Sequence, residues 1–187
     1  NPVEKAYSQY MHMVRDQRET MGFYDALLAE NERKEKGWGG IWSYSGSSLY
    51  ADGIEKYHSV FGKDNVKIIL FEDMVDNTNT VVSELFSYLD VDSAIKSKTS
   101  TIYNRSGNSR SRMVSNFFLK PNGIKKIIKT IIPERIRGSI RLTLLDLNIE
   151  KKELMDLKSK KYLIEFFRQD VARLEDILGK KLNWLEK

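Results

Sequence analysis

The chain has 187 residues and a mass of 21.8 kDa, which suits one domain with its own hydrophobic core. Its hydrophobic fraction of 41% and charged fraction of 30% are typical of a folded globular chain rather than a disordered one. The chain has no cysteine and only two histidines, which excludes disulfides and cysteine-based metal sites and predicts no metal site. No apolar run approaches the roughly 18 residues of a membrane span. Without cysteines or a signal segment, the chain is predicted to be cytoplasmic.

The net charge of +5 is unevenly distributed. Residues 96–141 contain twelve Lys and Arg side chains and a single acidic one, Glu134. A basic block of this kind favours a phosphate or polyanion ligand, and the alternative is a solvated basic face.

The first half of the chain predicts three helices and one loop. Asn1 suits a helix N-cap and Pro2 the first helical position, so a helix is predicted to about Gln17. Its apolar face would contain Val3, Ala6, Tyr7, Tyr10 and Val14. A second helix is predicted over residues 23–34, with Ala26 and Leu27 inside. A loop rich in Gly and aromatic residues follows over residues 37–46. The third helix, over residues 48–61, is predicted to bury Leu49, Ile54, Tyr57 and Phe61.

Residues 66–71 form the one near-continuous apolar run of strand length, which is typical of an interior strand of a parallel sheet. A lone strand cannot satisfy its own backbone groups, so partner strands are expected upstream. A helix capped by Asn77 or Thr78, a polar loop over residues 99–112, and helices over 113–119, 133–145 and 160–178 follow. The predicted class is therefore α/β.

Several segments resemble those of the sulfotransferases that use 3′-phosphoadenosine 5′-phosphosulfate (PAPS). In that family an Arg-(Asn/Asp)-Pro segment binds the 3′-phosphate, and a Ser follows eight residues after the Arg. Here Asn1-Pro2 and Ser8 match, and the Arg would precede Asn1. Residues 103–110, Tyr-Asn-Arg-Ser-Gly-Asn-Ser-Arg, are similar to the late loop that clamps the same phosphate. Glu72-Asp73-Met74 resembles the turn after a core strand, and Gly179, Leu182 and Trp184 resemble the family's C-terminal ending.

The resemblance is closest to the bacterial and the heparan- or tyrosylprotein-type branches. It implies a P-loop-kinase-like three-layer fold with a central parallel sheet, of which residues 1–187 would form mostly the helical C-terminal part of a single sulfotransferase-like domain. The family's 5′-phosphosulfate loop has no equivalent in these residues, because no Gly-x-x-x-x-Gly-Lys-(Ser/Thr) motif occurs. That strand–loop–helix and the catalytic groups are therefore expected upstream of residue 1, and this chain alone is expected to be inactive.

By the same resemblance, the protein would transfer a sulfuryl group from PAPS to a hydroxyl or amine of a carbohydrate, protein or small metabolite, and would release PAP, the desulfated product. The 3′-phosphate would bind to Ser8, Asn104, Arg105, Ser106, Gly107 and Arg110. Hydroxyl and guanidinium donors, together with a glycine that admits close backbone approach, are the groups that phosphate binding requires. His12, one turn beyond Ser8, is interpreted as a supporting or structural residue.

Four aromatic residues are candidates for binding the acceptor: Trp38, Trp42, Tyr44 and Tyr50. They could equally cover a hydrophobic core. Two other functions remain open. A P-loop-kinase-like phosphoryl transferase would need a Walker-type loop and carboxylates for Mg²⁺, for which only Glu72 and Asp73 are placed. A module that binds nucleic acid or another polyanion would use the basic block, although nucleic acid is judged the less favoured partner.

Overall fold

The computed structural model describes residues 1–92 and 154–186, and the regular elements in these ranges are helices. The seven described α-helices are α1 (Pro2–Arg15), α2 (Phe23–Leu28), α3 (Glu30–Glu35), α4 (Ala51–Phe61), α5 (Phe71–Asp76), α6 (Thr78–Tyr88) and α7 (Leu157–Leu178). Short 3-10 turns cover Gly40–Trp42, Gly46–Ser48 and Lys63–Asn65. The predicted loop over 99–112 and the predicted helices over 113–119 and 133–145 lie outside the described residues.

Helix α1 begins at Pro2 as predicted, and one of its sides is buried. It ends at Arg15, slightly before the predicted Gln17, because Gln17 adopts a left-handed φ of 58°. The amide of Arg18 then donates to the carbonyl of Met13 at 2.9 Å, a bond typical of a Schellman helix end. Of the predicted apolar face, Val3, Ala6 and Tyr7 are buried, while Tyr10 and Val14 are half-buried.

The helix predicted over residues 23–34 is divided into α2 and α3 at Ala29, whose ψ of −6° interrupts the regular helical geometry. Ala26 and Leu27 are buried, as predicted. Helix α3 ends at Glu35, two residues before Gly37, where φ is 75°, and the amide of Trp38 donates to the carbonyl of Arg33 at 2.9 Å. Glycine adopts this left-handed conformation without the steric cost that a Cβ atom brings, so Gly37 directs the chain into the aromatic loop.

Helix α4 differs from its prediction in its start and in its burial. It begins at Ala51 rather than residue 48, since residues 46–48 form a separate 3-10 turn. The prediction that Leu49, Tyr57 and Phe61 are buried is wrong, because all three are exposed. A helical apolar period shows which residues share a face but not whether a neighbouring element covers that face.

The predicted strand over residues 66–71 is not a strand in the described part of the chain. Val66 and Leu70 have extended backbone angles, but residues 66–70 are paired with no other described segment, and Phe71 already begins α5. A β-strand is defined by ladder hydrogen bonds to a neighbour, so an extended apolar run does not form one without a partner. The central parallel sheet expected from the resemblance remains a prediction.

The chain divides into two compact units, each with its own buried side chains. The first unit comprises residue 1 and the described residues 49–92 and 167–186, and it buries Ala51, Val81, Phe167, Val171 and Leu174. The second unit comprises residues 2–48 and the described residues 154–166, and it buries Val3, Ala6, Tyr7, Met11, Met13, Phe23, Ala26, Leu27, Tyr44 and Leu163. The prediction of one sulfotransferase-like domain is left open by this division.

Helix α7 supplies residues to both units and confirms the predicted C-terminal helix with an earlier start. Asp156 precedes it and accepts hydrogen bonds from the amide of Ser159 at 2.8 Å and from its hydroxyl at 2.5 Å, as an N-cap does. Its apolar residues recur at helical spacing, and Leu163, Phe167, Val171 and Leu174 are buried, although Phe166 is exposed.

Candidate functional site

Ser8, the residue expected to bind the 3′-phosphate, lies half-buried in the middle of α1. Lys5 is three residues earlier, and residues at this spacing share one face of a helix. The ammonium group of Lys5 donates to the hydroxyl of Ser47 at 2.9 Å and also to the Ser47 carbonyl. Burial lowers the pKa of Lys5 from its ordinary value. Ser8 and a partly buried cation therefore occupy the same side of α1.

Gln9 and Ser47 fix the loop next to α1. The side-chain amide of Gln9 donates to the carbonyl of Ile41 at 2.8 Å, and the hydroxyl of Ser47 donates to the side-chain oxygen of Gln9 at 3.0 Å. Together with Lys5, these groups connect α1 to both ends of residues 41–47. Side-chain hydrogen bonds therefore hold the polar side of α1 against residues 41–47.

Glu30 holds the end of the aromatic loop from α3. Its carboxylate accepts hydrogen bonds from the amide of Ser45 at 2.8 Å, from the Ser45 hydroxyl at 2.7 Å and from the amide of Gly46 at 3.3 Å. Hydrogen bonds to a charged carboxylate are stronger than those to a neutral acceptor. The Glu30 side chain therefore restrains two backbone amides and one hydroxyl of the loop.

Glu19, Arg33 and Tyr44 form a buried polar cluster beneath the loop. The guanidinium of Arg33 donates two hydrogen bonds to the Glu19 carboxylate, at 2.6 and 3.0 Å, and the Tyr44 hydroxyl donates a third at 2.8 Å. Burial alone would raise the pKa of Glu19, but the hydrogen bonds from Arg33, from the amides of Met21 and Thr20 and from Tyr44 lower it overall. Burial, followed by its bond to Glu19, raises the pKa of Tyr44 well above its usual range.

Neither Glu19 nor Arg33 was predicted as a site residue, because neither belongs to an apolar period or a motif. The cluster also decides between the two interpretations of Tyr44. Its exposed fraction is 0%, and its hydroxyl is bonded to Glu19, so Tyr44 belongs to the core. The tertiary structure therefore removes Tyr44 from the surface available to an acceptor.

Trp38 and Trp42 remain at the surface of the second unit. Their ring centroids lie 5.1 Å apart and their planes are inclined at 75°. The guanidinium of Arg33 packs over the Trp38 ring at 5.0 Å from its centroid, and 47% of Trp38 is exposed. Of the four aromatic candidates, these two form a surface pair.

Tyr50, the fourth aromatic candidate, lies in the first unit. It is half-buried, and its ring centroid is 6.5 Å from that of Trp184. Burial raises the pKa of Tyr50, and the negative charges of Glu72 and Asp170 raise it further. The side-chain amide of Asn1 donates to the carbonyl of Trp184 at 3.2 Å, so the C-terminal Trp predicted from the resemblance packs beside Tyr50 and is bonded to Asn1.

His12 is exposed, and both of its ring nitrogens have neighbours on α1 or directly after it. Arg15 donates to Nδ1 at 2.7 Å, and Nε2 lies 3.3 Å from the Asp16 carboxylate. These local contacts agree with a supporting role for His12.

The other predicted phosphate ligands, Asn104, Arg105, Ser106, Gly107 and Arg110, lie outside the described residues. Within residues 1–92 and 154–186, no group of three or more His, Cys, Asp or Glu side chains could hold a metal ion. None of the helices described is both long enough and apolar enough to cross a membrane.

The chain is similar in structure to a sulfotransferase from Alicyclobacillus acidocaldarius, with a TM-score of 0.68 and 27% sequence identity. The similarity covers 100% of this chain and 54% of that protein, so the chain spans about half of its length. No protein-family model matches the chain, and neither does any curated protein. The likeness supports a sulfotransferase-like fold.

Proposed function

We propose that this chain is part of a PAPS-dependent sulfotransferase that transfers a sulfuryl group to a hydroxyl or amine of an acceptor. The observation that carries the proposal is the structural likeness to the Alicyclobacillus acidocaldarius sulfotransferase over the whole chain. The order of the motifs along the sequence supports it independently. The use of PAPS as donor and the nature of the acceptor are part of this proposal, since the chain spans only about half of that protein.

The donor groups on α1 fit a nucleotide 3′-phosphate. A phosphate is bound best by hydroxyl and cationic donors that converge on its oxygens. Ser8 offers a short hydroxyl on a helix, and Lys5 places a positive charge on the same helical side. Lys5 is already held by Ser47, so its ammonium is positioned before any ligand arrives.

PAPS, when bound, supplies a sulfuryl group already activated by its bond to phosphate. The role proposed for Ser8 is to donate a hydrogen bond to the 3′-phosphate and so to orient the nucleotide. The role proposed for Lys5 is to stabilise the phosphate's negative charge, and its partial burial reduces the screening of that attraction by solvent. Such positioning contributes to rate because it fixes the reacting atoms before the reaction begins.

Removing the Ser8 hydroxyl tests this assignment. Titration of the protein with PAP should show that Ser8→Ala loses one hydrogen bond to a charged phosphate, worth roughly 1.5 to 3 kcal/mol, or about a ten- to hundredfold rise in Kd. Ser87→Ala is the matched control, because Ser87 is an exposed helical serine in α6 whose hydroxyl donates to the Ser83 carbonyl. Equal PAP affinity for Ser8→Ala and the parent protein would contradict the assignment.

The same titration separates the two other functions. A phosphoryl transferase should prefer ATP with Mg²⁺ to PAP. A polyanion-binding module should bind DNA and PAP without preference for a 3′-phosphate, and its affinity should fall steeply with salt. A preference for PAP over ADP at moderate salt supports the sulfotransferase proposal.

A further inference from the structure

Ser47 lies where the loop after α3 reaches the proposed 3′-phosphate site. Its hydroxyl accepts a hydrogen bond from the Lys5 ammonium group at 2.9 Å, and its carbonyl accepts another. An ammonium group has three N–H donors, so these two bonds leave one. No acceptor within residues 1–92 and 154–186 engages that third N–H of Lys5. The ammonium group is therefore held by the loop and still has a donor for a ligand.

The Ser47 hydroxyl is itself oriented by its neighbours. It donates its single hydrogen to the side-chain oxygen of Gln9 at 3.0 Å, and the side-chain amide of Gln9 donates to the carbonyl of Ile41 at 2.8 Å. Because that hydrogen is engaged, the hydroxyl has only its lone pairs left for Lys5, and lone pairs accept. Gln9 therefore makes Ser47 present an acceptor to the cation.

The backbone on both sides of Ser47 is fixed as well. On one side, the Glu30 carboxylate accepts hydrogen bonds from the amides of residues 45–46. On the other side, Ser48 is fully buried, and its hydroxyl donates to the carbonyl of Tyr44 at 2.7 Å. The position of Ser47 is therefore set by groups other than Lys5.

We infer that Ser47 couples this loop to the proposed nucleotide site, by holding the Lys5 ammonium group where its third N–H binds the 3′-phosphate. The inference rests on the proposed function and adds a positioning residue to it, since Ser47 acts through Lys5 and not on the nucleotide itself. A lysine side chain has many rotamers, and immobilising it during binding lowers the affinity. The bonds to Ser47 restrict Lys5 before a nucleotide arrives. By thermodynamic linkage, a nucleotide bound to Lys5 stabilises the loop in return.

Titration with PAP tests the effect of the loop on the nucleotide. Ser47→Ala should raise the Kd for PAP about two- to tenfold, the range expected when a flexible side chain must be immobilised on binding. Ser47→Thr should restore most of the affinity, because Thr retains the hydroxyl and position 47 is exposed. In a Lys5→Met background, Ser47→Ala should have no further effect. A merely structural role of Ser47 would weaken PAP binding in both backgrounds.

Hydrogen exchange tests the effect of the nucleotide on the loop. The amides of residues 45–47 donate to Glu30 and to the carbonyl of Ser43, and these bonds must open before exchange. Saturating PAP should slow the exchange of these amides in the parent protein. It should not do so in Lys5→Met, because the nucleotide then has no link to the loop.

Ser43→Ala is the matched control, because Ser43 belongs to the same loop but its hydroxyl donates to Glu30, at 3.4 Å. It should leave the Kd for PAP unchanged. The inference is overturned if Ser47→Ala binds PAP as tightly as the parent protein, if it loses as much affinity in the Lys5→Met background, or if PAP leaves the exchange of residues 45–47 unchanged. Failure of the parent protein to bind PAP would contradict the proposed function as well, whereas the three other results concern only Ser47.

Discussion

Glu19 is an acidic residue in a buried position, since only 6% of it is exposed. Removing a carboxylate from water costs several kcal/mol unless other groups replace its hydration. Here five hydrogen bonds do so, two from Arg33, one from Tyr44 and two from the amides of Thr20 and Met21. The cluster joins the end of α1, helix α3 and the aromatic loop at one point.

Glu19→Gln should therefore destabilise the fold strongly, because it leaves the buried guanidinium of Arg33 without its counter-charge. The expected loss is about 3 to 5 kcal/mol in the free energy of unfolding, measured by urea denaturation. Glu32→Gln is the control, since Glu32 pairs with Lys36 at an exposed position and its loss should have little effect. Similar midpoints for the two variants would argue against an energetic role for the cluster.

The pH dependence of stability follows from the same group. Hydrogen bonds hold the pKa of Glu19 below its ordinary value of 4.5, so its contribution to stability is complete above about pH 4.5 and is lost as the pH falls through the lower, folded-state value. The Glu19→Gln variant should lack this part of the acid-induced loss.

Helix α4 depends on a cap that comes from another element. The carboxylate of Asp170 in α7 accepts hydrogen bonds from the amides of Tyr50 at 2.9 Å and Ala51 at 3.1 Å. The first amides of a helix have no partner within it, and no side chain of α4's own N-cap residue supplies one. A residue 119 positions away therefore caps the start of α4.

Asp170→Ala should destabilise the first unit by roughly 1 to 2 kcal/mol, the usual cost of losing a helix cap. The expected readout is a lower thermal midpoint, with faster hydrogen exchange at the amides of residues 50 and 51. Asp176→Ala, an exposed position two turns further along α7, should change neither. Unchanged exchange at residues 50 and 51 would show that the cap does not hold the start of α4.

At the scale of the whole molecule, the first unit exposes several large apolar side chains. On α4 and α5 alone, Tyr57, Val60, Phe61, Phe71 and Val75 are all at least 55% exposed. Tyr57 and Phe61 stack with centroids 5.8 Å apart, so part of this surface is continuous. Exposed apolar surface of this extent promotes association.

The 187-residue chain, prepared by itself, should therefore self-associate in a concentration-dependent manner. Sedimentation velocity should show species larger than 21.8 kDa, and Phe61→Lys should reduce them by placing a charge on the patch. Ser59→Lys is the control, because it adds the same charge at an exposed position on the side of α4 away from the patch. A monodisperse monomer at all concentrations would show that this apolar surface drives no association.

Local patterns were sufficient for the helices whose signals lie within their own residues. Pro2 at the start of α1, a helix capped by Asn77 or Thr78 and a C-terminal helix over residues 160–178 were predicted from sequence, and the structure has Asn77 as the N-cap of α6. Helical signals of this kind act over a few residues. The order of sulfotransferase-like motifs was also legible in the sequence, and the structural likeness to a sulfotransferase agrees with it.

The tertiary structure decided what depends on neighbours distant in sequence. Tyr44 is buried and Trp38 is exposed, although both belong to one loop, since a loop has no period to show which ring faces the core. The amides at the start of α4 are capped by Asp170, and residues 66–70 pair with no segment of residues 1–92 and 154–186. Composition and spacing specify what a segment can do, whereas burial, long-range hydrogen bonds and strand pairing exist only once distant segments meet.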